Sequence, residues 1–271
     1  MQSLSDLARD ILFSLLAVSF SSHQAFAADD ATQSSKPIRS AYQSAAIRAP
    51  TEPEPMVAHR PKRANFEREN ASQDARHVAD WVVDSGDNRN MPFVIVDKTA
   101  AKVFVFSADG QLHGAARALL GLARGDEAVP GIGDRKLSSI RPEERTTPAG
   151  RFVAALDRNL HGQDILWVDY DGAISLHRVI NTNPKERRLQ RLATPTTFDK
   201  RISYGCINVP VSFYENVVRP AFIGTNGIVY VLPETRLPRE VFGSYDVGER
   251  VRLQTESHQR PDQVDASTVE R

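Results

Sequence analysis

The sequence predicts a mainly β fold, a sandwich or meander with one short helix, and three observations carry that expectation. Runs of four β-branched and aromatic residues recur through the middle of the chain. Short turn signals, Asp109-Gly110 and Tyr170-Asp171-Gly172, separate several of them. Helical spacing with capping residues is convincing in one place only, from about Val209 to Arg219.

Taken in order, Phe93-Val94-Ile95-Val96 and Val103-Phe104-Val105-Phe106 read as two strands, and Gln111 to Leu120 follows the Asp109-Gly110 turn as a third. Ile165-Leu166-Trp167-Val168 and Ala173-Ile174-Ser175-Leu176 read as a hairpin with His177 at its end, and Gly227 to Leu232 as a late strand. In the helix, Asn208 is the expected N-cap, Pro210 suits the first turn, Phe213 and Val217 share a face, and Pro220 is the expected stop. These elements define one compact unit over 91–235. Residues 28–90, rich in Ala, Ser, Gln and Pro up to about Ala75, read as a tether, with Trp81-Val82-Val83 as an early strand or a segment packed on the unit. Residues 236–271 read as a polar tail.

At the start, an apolar stretch from Ile11 to Phe20 precedes Ala25-Phe26-Ala27, the pattern of an export signal over 1–27 and of a periplasmic protein beginning at Ala28. Asp6 and Asp10 depart from the usual positive leader. The apolar run is about half the ~20 residues that span a bilayer, so no transmembrane span is expected.

The 271 residues have a formal net charge of zero. Nothing in that balance attracts nucleic acid. The basic run Arg187-Arg188-Leu189-Gln190-Arg191 is expected on a solvated face or against an acidic polymer. Gly131-Ile132-Gly133 lacks the third glycine of a dinucleotide loop, and no His-Glu-x-x-His zinc spacing occurs. No cofactor and no metal are expected.

Cys206 is the single cysteine of the chain. In an oxidising compartment an unpaired thiol is either buried and inert or kept for its reactivity. Placed just ahead of the expected helix, it would gain from the positive end of the helix dipole, which favours the nucleophilic thiolate. Acyl transfer from a cysteine also needs a base, and backbone N–H groups to hold the oxyanion, which Gly205 would let approach. Among the seven histidines, His113, His161 and His177 fall within the compact unit, and His177 closes the hairpin leading to Cys206.

A histidine at a strand end, Ser203-Tyr204-Gly205-Cys206-Ile207-Asn208 after it, and Thr147-Pro148-Ala149-Gly150-Arg151-Phe152 before it together resemble the L,D-transpeptidase (YkuD-type) family. The resemblance covers about Met91 to Glu234. It implies a cysteine enzyme of peptidoglycan in which Cys206 attacks the carbonyl of the third residue of a stem peptide and expels the terminal D-alanine, with His177 as base. It further implies Ser203, Tyr204 and Gly205 as supporting residues and Asn208 and Arg178 as substrate contacts. The acceptor is an amine, from another stem peptide or a wall-linked protein. Hydrolysis by the same residues, as in an L,D-carboxypeptidase, and a decayed peptidoglycan-binding protein are the alternatives. Two departures stand out. Tyr204 replaces the family's usual histidine, and the connection 178–202 is long, read as a loop over the site or a surface insertion.

Overall fold

A computed structural model of the protein describes residues 60–259; the expected export signal and the first half of the expected tether lie outside them. Ten strands are present: β1 Phe93–Asp97, β2 Lys102–Phe106, β3 Leu112–Arg117, β4 Leu120–Gly121, β5 Gly150–Arg158, β6 Asp164–Asp169, β7 Ile174–Arg178, β8 Arg201–Ser203, β9 Ile207–Val209 and β10 Gly227–Val231. Eight form one mixed sheet in the order β3-β2-β1-β10-β5-β6-β7-β9, and β4 pairs with β8 in a small parallel ribbon. The fold is mainly β, as the sequence predicts. β1–β3 and β5–β7 are antiparallel meanders, while β1/β10 and β7/β9 pair in parallel.

Alternation along the strands gives the sheet two apolar faces. On one, Val94, Val96, Val103, Val105, Leu166, Leu176, Ile207 and Val229 pack with Phe213, Tyr214, Val218 and Phe222 of a helical segment. That segment runs through α3 (Val211–Phe213), a π turn (Tyr214–Val218) and α4 (Arg219–Phe222). On the other face, Phe93, Ile95, Phe104, Phe106, Ile228 and Tyr230 pack against the helix α1, Gln73–Ser85. This second apolar layer covers β1, β2 and β10 and does not include residues of β6, β7 or β9.

Helix α1 corrects the expected boundary at residue 91. Ser72 caps it by accepting from the Ala75 N–H, Gly86 ends it in the left-handed conformation, and Ala75, Val78, Ala79 and Val82 are fully buried. Those four positions follow the i, i+3, i+4, i+7 spacing of a helix. The adjacency of Trp81, Val82 and Val83 points to a strand and masks it. Upstream, Phe66 stands edge-on to Phe104 and Phe106. The expected polar tail also packs in part: α5 (Pro238–Phe242) brings Phe242 against Trp81 and Tyr230, and the Tyr245 hydroxyl donates to Asp84.

The helix after Cys206 differs from expectation as well. Asn208 lies in β9, the helical segment begins at Val211 after Pro210, and no side chain caps it. Pro220 sits inside it. A proline withholds one backbone N–H and crowds the preceding turn, and the π turn immediately before it relieves both demands.

The long connection between β7 and β8 holds a 3-10 turn (Pro184–Glu186) and helix α2 (Arg188–Ala193). The run is only partly a solvated face: Arg187, Leu189 and Gln190 are exposed, but two of its arginines are tied into the fold. Arg188 bonds Glu186 and Asn208, and Arg191 bonds the carbonyls of Glu186 and Asp199.

Candidate active site

β7 and β9 pair in parallel with Leu176 opposite Ile207 and His177 opposite Asn208, which sets Ser175 beside Cys206. Odd positions of β7 point away from the layer holding the π turn, toward the face that α1 leaves uncovered. Cys206 is partly exposed there. The Ser175 hydroxyl donates to Sγ at 3.6 Å, and Sγ lies 3.6 Å from the carbonyl oxygen of Ala173.

His177 Nδ1 is 2.7 Å from the carbonyl oxygen of Arg178. A carbonyl can only accept, so Nδ1 carries the proton and Nε2 holds the lone pair of a base. Burial pushes the Cys206 thiol up, but the hydrogen bond and charge of His177, with hydrogen bonds from the Ser175 side chain and backbone, outweigh it and hold the thiol below its ordinary value. The helix dipole invoked from sequence is not the cause, because the helical segment starts beyond β9.

The loop carrying the thiol is fixed from below. Ser203 Oγ donates to the Cys206 carbonyl at 2.7 Å and accepts from the Gly205 N–H at 3.1 Å. Gly205 adopts φ 135°, and a Cβ there would lie 2.6 Å from Ile174 Cδ1 and 2.7 Å from the Thr146 carbonyl oxygen. Only glycine meets both constraints. Its N–H is taken by Ser203, so Gly205 shapes the loop without supplying the oxyanion donor expected of it. The Cys206 N–H has no acceptor among the described residues.

Asn208 and Arg178, expected at the substrate, are committed elsewhere. Asn208 is 1% exposed; its Nδ2 donates to the Cys206 carbonyl at 3.1 Å and its Oδ1 accepts from Arg188 at 2.7 Å. Arg178 points to the opposite face, bonded to Glu215 and Asp164 and stacked over Tyr214. Tyr204 is 37% exposed and its ring lies under the Arg145 guanidinium, 3.9 Å from carbon to centroid. His113 lies on β3, at the opposite edge of the sheet from β9, and His161 lies in the β5–β6 turn, with no bond to β9 among the described residues. Of the three histidines, His177 is the one that bonds the thiol.

Three contributors escape a reading of motifs alone. Ser175 is two residues before His177, and the period of two along a strand already puts both on one face. Thr147 belongs to the Thr-Pro motif, yet its bond to Gly205 appears only when β4 and β8 meet. Arg145 carries no local signal. Among the described residues no three His, Cys, Asp or Glu side chains gather as a metal site, and no helix is long and apolar enough to cross a membrane.

The fold and site thus define a mixed-sheet protein in which a histidine of β7 and the cysteine just ahead of the adjacent parallel strand β9 are brought together. No family model and no curated protein matches the sequence. Among solved structures the chain resembles the helical cell shape determining protein Pgp2 from Campylobacter jejuni, at 14% identity over 59% of this chain and 52% of that one, with a TM-score of 0.38. It also resembles an L,D-transpeptidase from Xylanimonas cellulosilytica, at 16% identity over 53% of this chain and 61% of that one, with a TM-score of 0.33. A third is the catalytic domain of the E. faecium L,D-transpeptidase, at 16% identity over 53% of this chain and 98% of that one, with a TM-score of 0.33. The chain spans about half of the first structure's length and three fifths of the second's.

Proposed function

We propose that the chain is a cysteine acyltransferase of the L,D-transpeptidase kind, acting on peptidoglycan stem peptides in the periplasm. The observation that carries this reading is the Nδ1 bond of His177, which leaves Nε2 as a base beside a thiol held below its ordinary value. The motifs around Thr147, His177 and Cys206 support the family, and Ala25-Phe26-Ala27 supports export.

In this reading His177 Nε2 takes the thiol proton and the Cys206 sulfur bonds the carbonyl carbon of the third stem residue, with the oxyanion held by the Cys206 N–H. The carbon–nitrogen bond to D-alanine then breaks, and the imidazolium returns its proton to the departing amine. An acceptor amine attacks the thioester, losing its proton to His177, and the regenerated thiol leaves. Water in place of that amine gives the carboxypeptidase outcome with the same groups.

Incubation with a tetrapeptide muropeptide, followed by mass measurement of the products, tests the reading. Cross-linked dimers with loss of alanine support transfer, and a tripeptide product alone supports hydrolysis. A carbapenem that leaves no adduct on Cys206, together with no product of either kind, supports the decayed binder instead.

A further inference from the structure

Arg145 is a cation beside the nucleophile loop with no carboxylate partner among the described residues. Other arginines are compensated: Arg135 and Arg141 pair with Glu144, Arg124 and Arg201 with Glu234. Arg145 instead lies over the Tyr204 ring, two residues from Cys206, and spends Nε and Nη2 on the single carbonyl of Ile140, at 3.3 and 3.0 Å. Nη1 has no acceptor among the described residues. The backbone is fixed too, since the Arg145 carbonyl accepts from Ala123 and the next residue, Thr146, closes on Gly205. A guanidinium so held needs little further ordering to bind an anion.

We infer that Arg145, held over the Tyr204 ring, is the seat for a carboxylate of the substrate, the free end of a peptide whose acyl carbon is presented to Cys206. The inference deepens the proposed function and rests on it. It also gives a physical reason for Tyr204. A histidine there would become cationic on protonation and repel Arg145, whereas a phenol ring offers a neutral face to the guanidinium at any physiological pH.

A pair of alkylating reagents separates this inference from the peptidoglycan reading, because neither reagent is a peptide. Iodoacetate and iodoacetamide form the same thioether bond with Cys206 and expel iodide, but only the first carries a carboxylate. The ratio of their rates cancels any change in thiol acidity. With the full chain, the iodoacetate-to-iodoacetamide ratio should fall about tenfold in Arg145→Gln, the loss of one charge-assisted contact. Arg145→Lys should recover part of it, Tyr204→Phe should keep it, and Tyr204→Leu should lower it. An equal ratio in the native chain and Arg145→Gln overturns the seat while leaving the transferase reading intact. Full recovery in Arg145→Lys also overturns it, since a point charge would then suffice. If neither reagent labels Cys206 in the native fold, the nucleophile reading fails and the seat falls with it.

Discussion

Thr147 Oγ1 donates to the carbonyl oxygen of Gly205 across 2.7 Å, although the two are 58 positions apart, and it accepts from the Gly121 N–H at 2.9 Å. One fully buried hydroxyl therefore fastens the Cys206 loop to the ribbon strand β4. Thr147→Val keeps the shape and removes both bonds. It should destabilise the protein by about 1–3 kcal/mol, because a buried carbonyl and a buried amide lose their partner. Chemical denaturation, with the slope unchanged and the midpoint lowered, checks it.

Gly205→Ala tests the same loop from the other side. The added methyl meets Ile174 and the Thr146 carbonyl within 2.7 Å, at a φ that L side chains rarely adopt. The expected cost is about 1–3 kcal/mol of strain, together with a sharp fall in thiol alkylation as Cys206 shifts. Alkylation at the native rate would show that the loop tolerates a side chain.

Cys206→Ser and His177→Ala should each remove turnover with the fold intact. For His177→Ala the expected loss is about 10²–10⁴-fold, the usual contribution of a positioned base. Single-turnover acylation by a carbapenem, followed by intact mass, checks both. Native-rate acylation in His177→Ala would remove the histidine from the mechanism.

Ser175→Ala should raise the apparent pKa of the Cys206 thiol, since the hydroxyl bond favours the thiolate. The native thiol titrates below its ordinary value, so its alkylation rate should reach a plateau at a lower pH than that of a free cysteine. In Ser175→Ala the whole profile should move up in pH, and Ser175→Thr should restore part of the shift. A profile that stays in place would assign the lowered pKa to His177 and the backbone N–H of Ser175.

Acid should loosen the segment that carries Arg145. Hydrogen bonds from Arg135 and from the backbone and side chain of Arg141 hold Glu144 down to about 2, against an ordinary 4.5. Because the folded value is the lower one, this contribution is complete above about 4.5 and disappears as the pH falls toward 2. Hydrogen exchange of the amides around Ile140 to Thr146 should therefore speed up across that interval. Glu144→Gln should show the faster exchange already at neutral pH.

What could be read in the sequence was whatever declares itself locally. β1, β2, β6 and β7 follow from four-residue apolar runs, β3 from the Asp109-Gly110 turn ahead of it, and the pairing of His177 with Cys206 from their motifs. β5 was not expected, since Gly150, Arg151 and two alanines dilute its apolar pattern even though it lies near the centre of the sheet. α1 was missed because contiguity at Trp81-Val82-Val83 outweighed its helical spacing. If α1 belongs to the core, Trp81→Ala should cost about 3–5 kcal/mol, and a chain starting at Met91 should not unfold cooperatively. Arg178 and Asn208 were misplaced for another reason. Their partners Asp164, Glu215 and Arg188 are brought to them by the sheet order, which no spacing reveals.

Lys98 has consequences for how the approach to the site is restrained. Its fully buried ammonium donates to the Gly125 carbonyl at 2.6 Å, to Asp126 at 2.8 Å and to the Thr147 carbonyl at 3.0 Å, drawing together both ends of the excursion between β4 and β5. Small proteins often tie such a loop with a disulfide, lowering the entropy of the open chain. Here an ammonium is the clasp. With one cysteine in this sequence, a clasp made by an ammonium ties the loop without engaging the Cys206 sulfur in a disulfide.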